Sequence, residues 1–154
     1  MENTFNMKYI WDTNILLNYI RESKNFDIWN EELGFKNPNN EVYISTITVG
    51  EIYSIAHQRN WQKRRRQRLK EVLDDFSKPL PITNKRIVEM YARIDAYSQG
   101  KLVGNPLPKG LSSRNMGKND VWIAATANVL DLKLVTIDKD FAHLQEVYCD
   151  LILV

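Results

Sequence analysis

The sequence predicts an α/β fold of three layers, in which helices cover both faces of a central parallel sheet of about five strands. Two observations support this prediction. Short apolar segments, typical of buried strands, alternate along the chain with longer segments whose apolar residues recur at helical spacing. Strands that alternate with helices are joined by right-handed crossovers, which make neighbouring strands parallel and place the helices on the two faces of the sheet.

The first half of the chain contains two predicted strands, each followed by a helix. Residues 8–11 predict a strand, and residues 14–21 then place their apolar side chains on one helical stripe. Residues 42–45 predict the second strand, and a helical pattern covers residues 49–57. The turn-forming residues at 34–40 indicate a loop between the two pairs.

The rest of the chain, from Trp61 on, contains three predicted helices and two strands. An amphipathic helix follows Trp61, and another covers residues 85–97. The apolar, alanine-rich residues 121–129 predict a buried helix. Residues 134–137 and 147–154 complete the set as strands.

The length and composition predict a single domain over residues 1–154. The chain is 44% hydrophobic and 26% charged, which is close to the globular average and sufficient for one core. The net charge of +2 excludes a purely electrostatic nucleic-acid coat protein but allows a local basic patch. Because Cys149 is the single cysteine and only two histidines occur, we expect no disulfide, and any metal must be held by oxygen ligands.

The sequence also predicts a soluble, cytoplasmic protein that does not enter a membrane. Lys8 and Asp12 interrupt the apolar stretch that a signal peptide would need. No apolar run approaches the roughly 20 residues that cross a bilayer.

Four acidic residues lie at corresponding places in the predicted elements, each at the end of a strand or near the start of a helix: Asp12, Glu51, Asp120 and Asp138. In open α/β sheets, ligands bind at the edge formed by the carboxyl ends of the strands. Carboxylates crowded at one edge repel one another unless a cation neutralises them. Clusters that offer only oxygen ligands suit Mg²⁺ or Mn²⁺, so the sequence predicts a divalent-metal site at this edge.

Each of the four acids also has an interpretation that needs no metal. Asp12 is placed to cap the helix that follows it, and Glu51 lies three residues after Thr48, the spacing of a capping box. Asp120 is an acidic first-turn residue of the kind that a helix dipole favours, and Asp138 lies in a sequence typical of a turn. No single position decides, whereas four acids on one edge favour the metal site.

Four segments resemble the four motifs of PIN-domain ribonucleases, in the order of that family. They are residues 9–17 (YIWDTNILL), 47–52 (ITVGEI), 119–127 (NDVWIAATA) and 134–141 (LVTIDKDF). The ordered set spans essentially the whole chain. The length, without an accessory domain, is most similar to that of the VapC toxins of bacterial toxin–antitoxin pairs.

The resemblance implies a PIN-like parallel sheet with an acidic pocket for one or two Mg²⁺ or Mn²⁺ ions. It implies that four acids are catalytic metal ligands: Asp12, Glu51, Asp120 and Asp138. By the same resemblance, Asn14 and Thr136 orient ligands or a water, and Asp140 matches an acid that helps in some members. The resemblance assigns no role to Lys118.

Hydrolysis of a phosphodiester by a divalent ion needs no histidine, serine or cysteine nucleophile, because the ion activates water and neutralises charge on the phosphoryl oxygens. His57 and His143 are therefore expected to face solvent or to cap a helix. The resemblance therefore implies a metal-dependent endoribonuclease that acts as a toxin and is neutralised by a VapB-like antitoxin. The alternatives are a degenerate PIN-like module that binds RNA or protein, and a phosphoacceptor or phosphohydrolase domain. The second alternative expects an acid two residues after Asp12, where the chain has Asn14.

An acidic pocket repels a polyanion, so RNA binding requires basic groups around it. The candidates are a basic run after Trp61 and the loop over residues 98–117, whose length is typical of functional or mobile loops. The side chains expected to bind RNA are Arg64, Arg65, Arg68, Lys109, Arg114 and Lys118. The basic run is equally consistent with a solvated helix face. The four tryptophans are expected to be core or partner-anchor residues, and Trp61, next to the basic run, is the one candidate for stacking on a base.

We further expect a homodimer, the commonest oligomeric arrangement. The resemblance to VapC toxins motivates this expectation. Trp29, Phe35 and Trp61, which are aromatic residues in otherwise polar stretches, add weak support. The antitoxin is expected to place an amphipathic segment in an apolar groove near the early helices.

Overall fold

Four strands form one parallel sheet in the computed structural model, which describes residues 6–76 and 78–154. The strands are β1 (Lys8–Trp11), β2 (Glu41–Tyr43), β3 (Lys133–Thr136) and β4 (Asp150–Leu153). Their order across the sheet is β2-β1-β3-β4, and every neighbouring pair is parallel. The carboxyl ends of β1 and β3 therefore lie side by side at the centre of one edge.

Six α-helices and one 3₁₀ helix surround the sheet. They are α1 (Thr13–Ile20), α2 (Lys24–Leu33), α3 (Thr46–Gln58), α4 (Lys63–Asp75), α5 (Lys85–Ser98), α6 (Lys118–Val129) and the 3₁₀ helix Lys139–Leu144. No helix in the described ranges has the length and apolar character needed to span a membrane.

Two apolar clusters, one on each face of the sheet, confirm the three-layer α/β prediction. Side chains alternate between the faces along a strand, so Ile10 of β1 belongs to one cluster while Tyr9 and Trp11 belong to the other. The cluster that contains Ile10 is filled from α5 and α6. The cluster that contains Trp11 is filled from α1, α2, α3 and α4.

The sheet has four strands in the described part of the chain, one fewer than the expected number of about five. The place of a fifth strand beside β2 is taken by Leu80, which makes a single parallel bridge to Ser45. Leu80 donates its N–H to the Ile44 carbonyl and accepts from the N–H of Thr46. Pro79 and Pro81 flank it, and proline has no N–H to donate, which stops the pairing after one residue.

One helix that was not predicted and one helix start also differ from the sequence prediction. Helix α2 was not predicted, because Phe26 alone of its ten residues is buried and its apolar pattern is weak. Its ends carried a signal, since Ser23 caps the start and Gly34 ends the helix in the left-handed conformation. Helix α3 begins at Thr46, three residues before the predicted start, and Ser45 is its N-cap.

Arg66, in the middle of the basic run, anchors α4 to the end of α3. Its Nε donates to the Trp61 carbonyl at 2.7 Å, and its guanidinium also reaches the Ala56 carbonyl at 3.3 Å. This arginine therefore supports the fold, in contrast to its exposed neighbours Arg64 and Arg65.

Candidate active site

Asp12 lies at the end of β1 and is the N-cap of α1, with 3% of its surface exposed. One carboxylate oxygen accepts from the backbone N–H of Thr13 at 2.7 Å. The other accepts from the hydroxyl of Thr136, at the end of β3, also at 2.7 Å. Burial raises the pKa of Asp12; these two hydrogen bonds act against that rise, and the charges of Glu51 and Asp138 add to it.

Thr136 links Asp12 to the segment that carries Asp138. Its hydroxyl oxygen accepts from the backbone N–H of Asp138 at 3.0 Å while its proton goes to Asp12. Asp138 caps the 3₁₀ helix by accepting from the N–H of Asp140 at 2.8 Å. The interpretation of Asp138 as a turn residue thus accounts for one of its oxygens, which caps the 3₁₀ helix. The backbone of Asp138 is bonded to Thr136, which holds Asp138 near Asp12.

Glu51 is joined to this group by Thr13, which the sequence analysis did not single out. The Thr13 hydroxyl donates to a carboxylate oxygen of Glu51 at 2.7 Å. The capping-box interpretation of Glu51 is wrong, because α3 begins at Thr46 with Ser45 as its cap, so Thr48 lies inside the helix. The side chain of Glu51 therefore points to α1 and not to the start of its own helix.

Asp120 is the third residue of α6, and its carboxylate folds back over the start of that helix. A Cβ on Gly117 would lie 3.3 Å from its Oδ2, so the absence of a side chain at Gly117 gives the carboxylate its room. Gly117 is the N-cap and offers no side-chain cap. Burial raises the pKa of Asp120 to about 7, and four further acids contribute in the order Asp12, Asp138, Glu51 and Asp140.

The structure thus brings all four predicted metal ligands into one electrostatic neighbourhood. Within the described ranges, however, no three Asp, Glu, His or Cys side chains are placed closely enough to share one ion. The donors are carboxylate oxygens, the ligand type that Mg²⁺ and Mn²⁺ prefer. A cation among them would also offset the repulsion that raises the pKa of Asp120. The donor chemistry fits a divalent ion around which the carboxylates would have to close.

Asn14 and Asp140, which the resemblance implies, lie near these acids, as does Lys118, to which the resemblance assigns no role. Asn14 is exposed at the second position of α1, and Asp140 is exposed in the 3₁₀ helix. Lys118 is exposed at the first position of α6, two residues before Asp120.

The long loop lies beside the acidic edge, as expected from its position in the chain. A shallow groove is lined by Ser112, Arg114 and Met116 from the loop and by Asp140. The backbone N–H of Arg114 donates to the Ser98 carbonyl at 2.7 Å, which fixes the end of the loop against α5. Arg114 therefore lies beside Asp140 at the acidic edge.

His143 is buried, so the expectation that it faces solvent is wrong, whereas His57 is exposed as expected. The Nε2 of His143 lies 2.7 Å from the Ser98 hydroxyl, and its ring stacks on Tyr97. Burial and the nearby charge of Arg114 lower the pKa of His143. The residue packs the 3₁₀ helix against the end of α5.

Two aromatic predictions are also corrected. Trp61 is 3% exposed and the guanidinium of Arg65 lies 5.4 Å from its ring centroid, so the ring does not offer a surface for base stacking. Phe35 is buried and Trp29 is half-buried in the same core. These aromatic residues are core residues, and they no longer support a dimer.

Comparisons with known proteins agree with this geometry. The family model of the PIN domain matches residues 9–147. Among solved structures, VapBC2 from Rickettsia felis bound to a promoter DNA fragment is similar with a TM-score of 0.67 and 21% identity, over 96% of this chain and 99% of that chain. FitAcB from Neisseria gonorrhoeae is similar with a TM-score of 0.67 and 22% identity, over 93% of this chain and 95% of that chain. VapBC-1 from nontypeable Haemophilus influenzae is similar with a TM-score of 0.66 and 25% identity, over 96% of this chain and 98% of that chain. No curated protein matches the sequence.

We predict that Asp120→Asn stabilises the fold at neutral pH in buffer that contains a chelator. The pKa of Asp120 is about 7 in the folded chain and about 3.9 in an unfolded chain. As the pH rises from about 4 to 7 the unfolded chain ionises first, so the wild-type protein loses stability that the amide variant keeps. Because Asp120 is partly exposed, we expect a gain on the order of 1–2 kcal/mol above about pH 7 and none below about pH 4.

Urea unfolding of both proteins at the two pH values measures this difference. Asp74→Asn, which removes an exposed carboxylate from α4, is the matched control and should show no such pH dependence. An Asp120→Asn variant that is no more stable than the wild type at neutral pH would show that the carboxylates do not repel one another.

Proposed function

The chain belongs to the PIN-domain family, and from that membership and the acidic edge of its sheet we propose that it is a divalent-metal-dependent endoribonuclease. The observation that carries the proposal is the convergence of four carboxylates from distant parts of the chain: Asp12, Glu51, Asp120 and Asp138. We further propose that the enzyme acts in the cytoplasm as the toxin of a toxin–antitoxin pair.

The four carboxylates would hold one or two Mg²⁺ or Mn²⁺ ions. When bound, the metal makes a water nucleophilic at neutral pH and neutralises charge that develops on the phosphoryl oxygens. Asp12 is held in one orientation by Thr136 and by the N–H of Thr13, so it would serve as the fixed ligand. Glu51, held by the Thr13 hydroxyl, would approach from α3.

The raised pKa of Asp120 links metal binding to pH. With a pKa of about 7, it carries a proton in about half of the molecules at neutral pH when no cation is present. A cation bound beside it would displace that proton, so metal binding would tighten as the pH rises.

Three basic side chains would bind the phosphates of the RNA: Arg114 and Lys118, which lie near the acids, and Lys109, which is exposed on the long loop. Arg114 lines a groove with Asp140, and Lys118 begins the helix that carries Asp120. Phosphate contacts position the RNA without reading its sequence.

An aromatic groove on the early helices would receive the antitoxin. It is lined by Trp11, Tyr19, Phe26, Phe35, Lys36, Val42, Asp75 and Phe76. The amine of Lys36 lies 5.9 Å from the ring centroids of Tyr19 and Phe26, at the rim of the groove. Similar structures are described as VapBC complexes, and we propose a VapB-like partner that places an apolar segment here.

We predict that the purified chain cleaves single-stranded RNA when Mg²⁺ or Mn²⁺ is added and that EDTA stops cleavage. Asp12→Asn and Asp120→Asn should each lower the cleavage rate by more than about 100-fold, since even residues that only support metal ligands cost about 10–100-fold. Gel analysis of a labelled RNA measures the rate. Asp74→Asn, which removes the same charge from an exposed position, serves as the control.

Two outcomes would contradict the proposal. Cleavage that persists in EDTA or in both acid variants would exclude a metal-dependent reaction at this edge. Binding of RNA without cleavage under any divalent ion would instead favour a degenerate PIN-like binding module.

We predict that the chain forms a homodimer in solution and that a co-expressed antitoxin changes its mass. Light scattering at micromolar concentration should give twice the mass of 18.1 kDa for the chain alone. A monomeric mass would remove the dimer from the account and leave the catalytic proposal intact. Phe76→Asp, in the aromatic groove, should weaken capture of the antitoxin, whereas Val103→Asp, on the exposed long loop, should not.

A further inference from the structure

Five arginines line one groove where α1 and α3 end and α4 begins. We call it the arginine groove, and it is formed by Arg21, Arg59, Arg64, Arg65 and Arg68 around Asn60 and Gln62. Arg21 is the C-cap of α1 and Arg59 is the C-cap of α3. The sequence analysis selected the three arginines of α4 but not these two, which come from other parts of the chain.

The positive charge of this groove is poorly balanced. Glu22 and Glu71 also line it, and in the described ranges the ion pair of Arg68 with Glu22, at 3.7 Å, is the one salt bridge made by the five arginines. Partial burial lowers the pKa of Arg21, and the charges of Arg59 and Arg65 lower it further. The three guanidinium groups therefore repel one another across the groove.

The start of α4 adds a second, independent indication of an anion. Gln62, its N-cap, makes no side-chain cap, and the first turn holds no acidic residue. Basic side chains are unfavourable at a helix N-terminus, yet Arg64 and Arg65 occupy it. Arg21 and Arg59 lie at the C-terminal ends of their own helices, where positive charge is favourable. This accounts for two of the five arginines but not for those at the start of α4.

Helices α1 and α3 run side by side from the acids to the arginine groove. Thr13 and Glu51 are hydrogen-bonded near the catalytic edge, and Arg21 and Arg59 interact electrostatically at the other end. Both pairs are separated by eight residues, which is about 12 Å along a helix. Glu51 and Ile55 line a groove along α3 that begins at Asn119, next to Asp120.

We propose that the arginine groove binds a backbone phosphate of single-stranded RNA, with the strand lying along α3 between this groove and the acids. The inference rests on the proposed ribonuclease function. Guanidinium groups suit this ligand because their planar donors bind phosphate oxygens in pairs. The groove lies about 12 Å along α3 from the end that holds the acids, so a phosphate bound there belongs to a nucleotide beyond the cleaved bond.

Binding of oligouridylates to the full chain tests this proposal. The measurements use an Asp12→Asn background to prevent cleavage, and affinity is recorded against salt for a dinucleotide and a decanucleotide. Arg21→Gln with Arg59→Gln should weaken decanucleotide binding and make the salt slope shallower by at least about 0.7, the value of one phosphate contact on a single strand. Dinucleotide binding should weaken less, because a dinucleotide has a single backbone phosphate and cannot bind at the groove and at the acids together.

Matched controls separate this effect from net charge and from folding. Arg86→Gln with Arg93→Gln removes two exposed charges from α5 and should leave the slope unchanged. Arg21→Lys with Arg59→Lys keeps the charge but loses the paired donors, so it should retain most of the slope and lose part of the affinity. The lysine variant also keeps the test available if the glutamine variant does not fold.

The outcomes distinguish failure of this proposal from failure of the proposed function. An unchanged slope for Arg21→Gln with Arg59→Gln overturns the phosphate site even if the wild type cleaves RNA. Binding of polyglutamate, an acidic peptide, is measured in parallel. If Arg21→Gln with Arg59→Gln loses polyglutamate binding while its salt slope with RNA is unchanged, the groove binds an acidic peptide and the phosphate proposal is overturned. A shallower slope in a protein whose wild type never cleaves RNA supports the phosphate site and removes the ribonuclease function.

Discussion

The two oxygens of the Asp12 carboxylate accept hydrogen bonds from two separate segments, the first turn of α1 and the end of β3. A buried charge is costly unless it is hydrogen-bonded, so this carboxylate requires both segments to be in place. The hydroxyl oxygen of Thr136 also accepts from the backbone N–H of Asp138, and the Thr13 hydroxyl donates to Glu51. The positions of Asp138 and Glu51 therefore depend on the same two segments. Parallel pairing of β1 with β3 is what puts these groups at one edge.

The same arrangement concentrates negative charge, and within the described ranges none of these four acids makes a salt bridge with a lysine or arginine. Burial and four neighbouring acids raise the pKa of Asp120, which means that part of the folding free energy is used to hold like charges together. A site of this kind gains most from a divalent cation, because the cation removes the repulsion and uses oxygen donors that are already oriented. The basic groups lie around the acids and at the far ends of α1 and α3, where they attract a polyanion without cancelling the acidic edge.

The sequence was sufficient for the α/β class and for the sheet edge on which the acids lie, because both follow from local patterns and from the general geometry of parallel sheets. It was not sufficient for contacts that tertiary packing decides. The Thr48–Glu51 spacing fits a cap, but the helix begins earlier and Glu51 bonds to Thr13. Pro79 and Pro81 reduce an edge strand to one bridge, and Trp61 lies in the core despite its polar neighbours. Arg21 and Arg59 are isolated in sequence and meet only when α1 and α3 pack together.

The most direct test of the central claim is a crystal structure of the full chain grown with Mn²⁺, with an anomalous difference map recorded above the manganese edge. The account predicts a peak at the edge of the sheet, with oxygens of Asp12 and Asp120 within about 2.0–2.3 Å and with Glu51 and Asp138 as direct or water-mediated ligands. The peak should disappear in Asp120→Asn crystals grown in the same way. A manganese peak elsewhere on the chain, or an acidic edge that stays empty at a Mn²⁺ concentration that supports cleavage, would contradict the account.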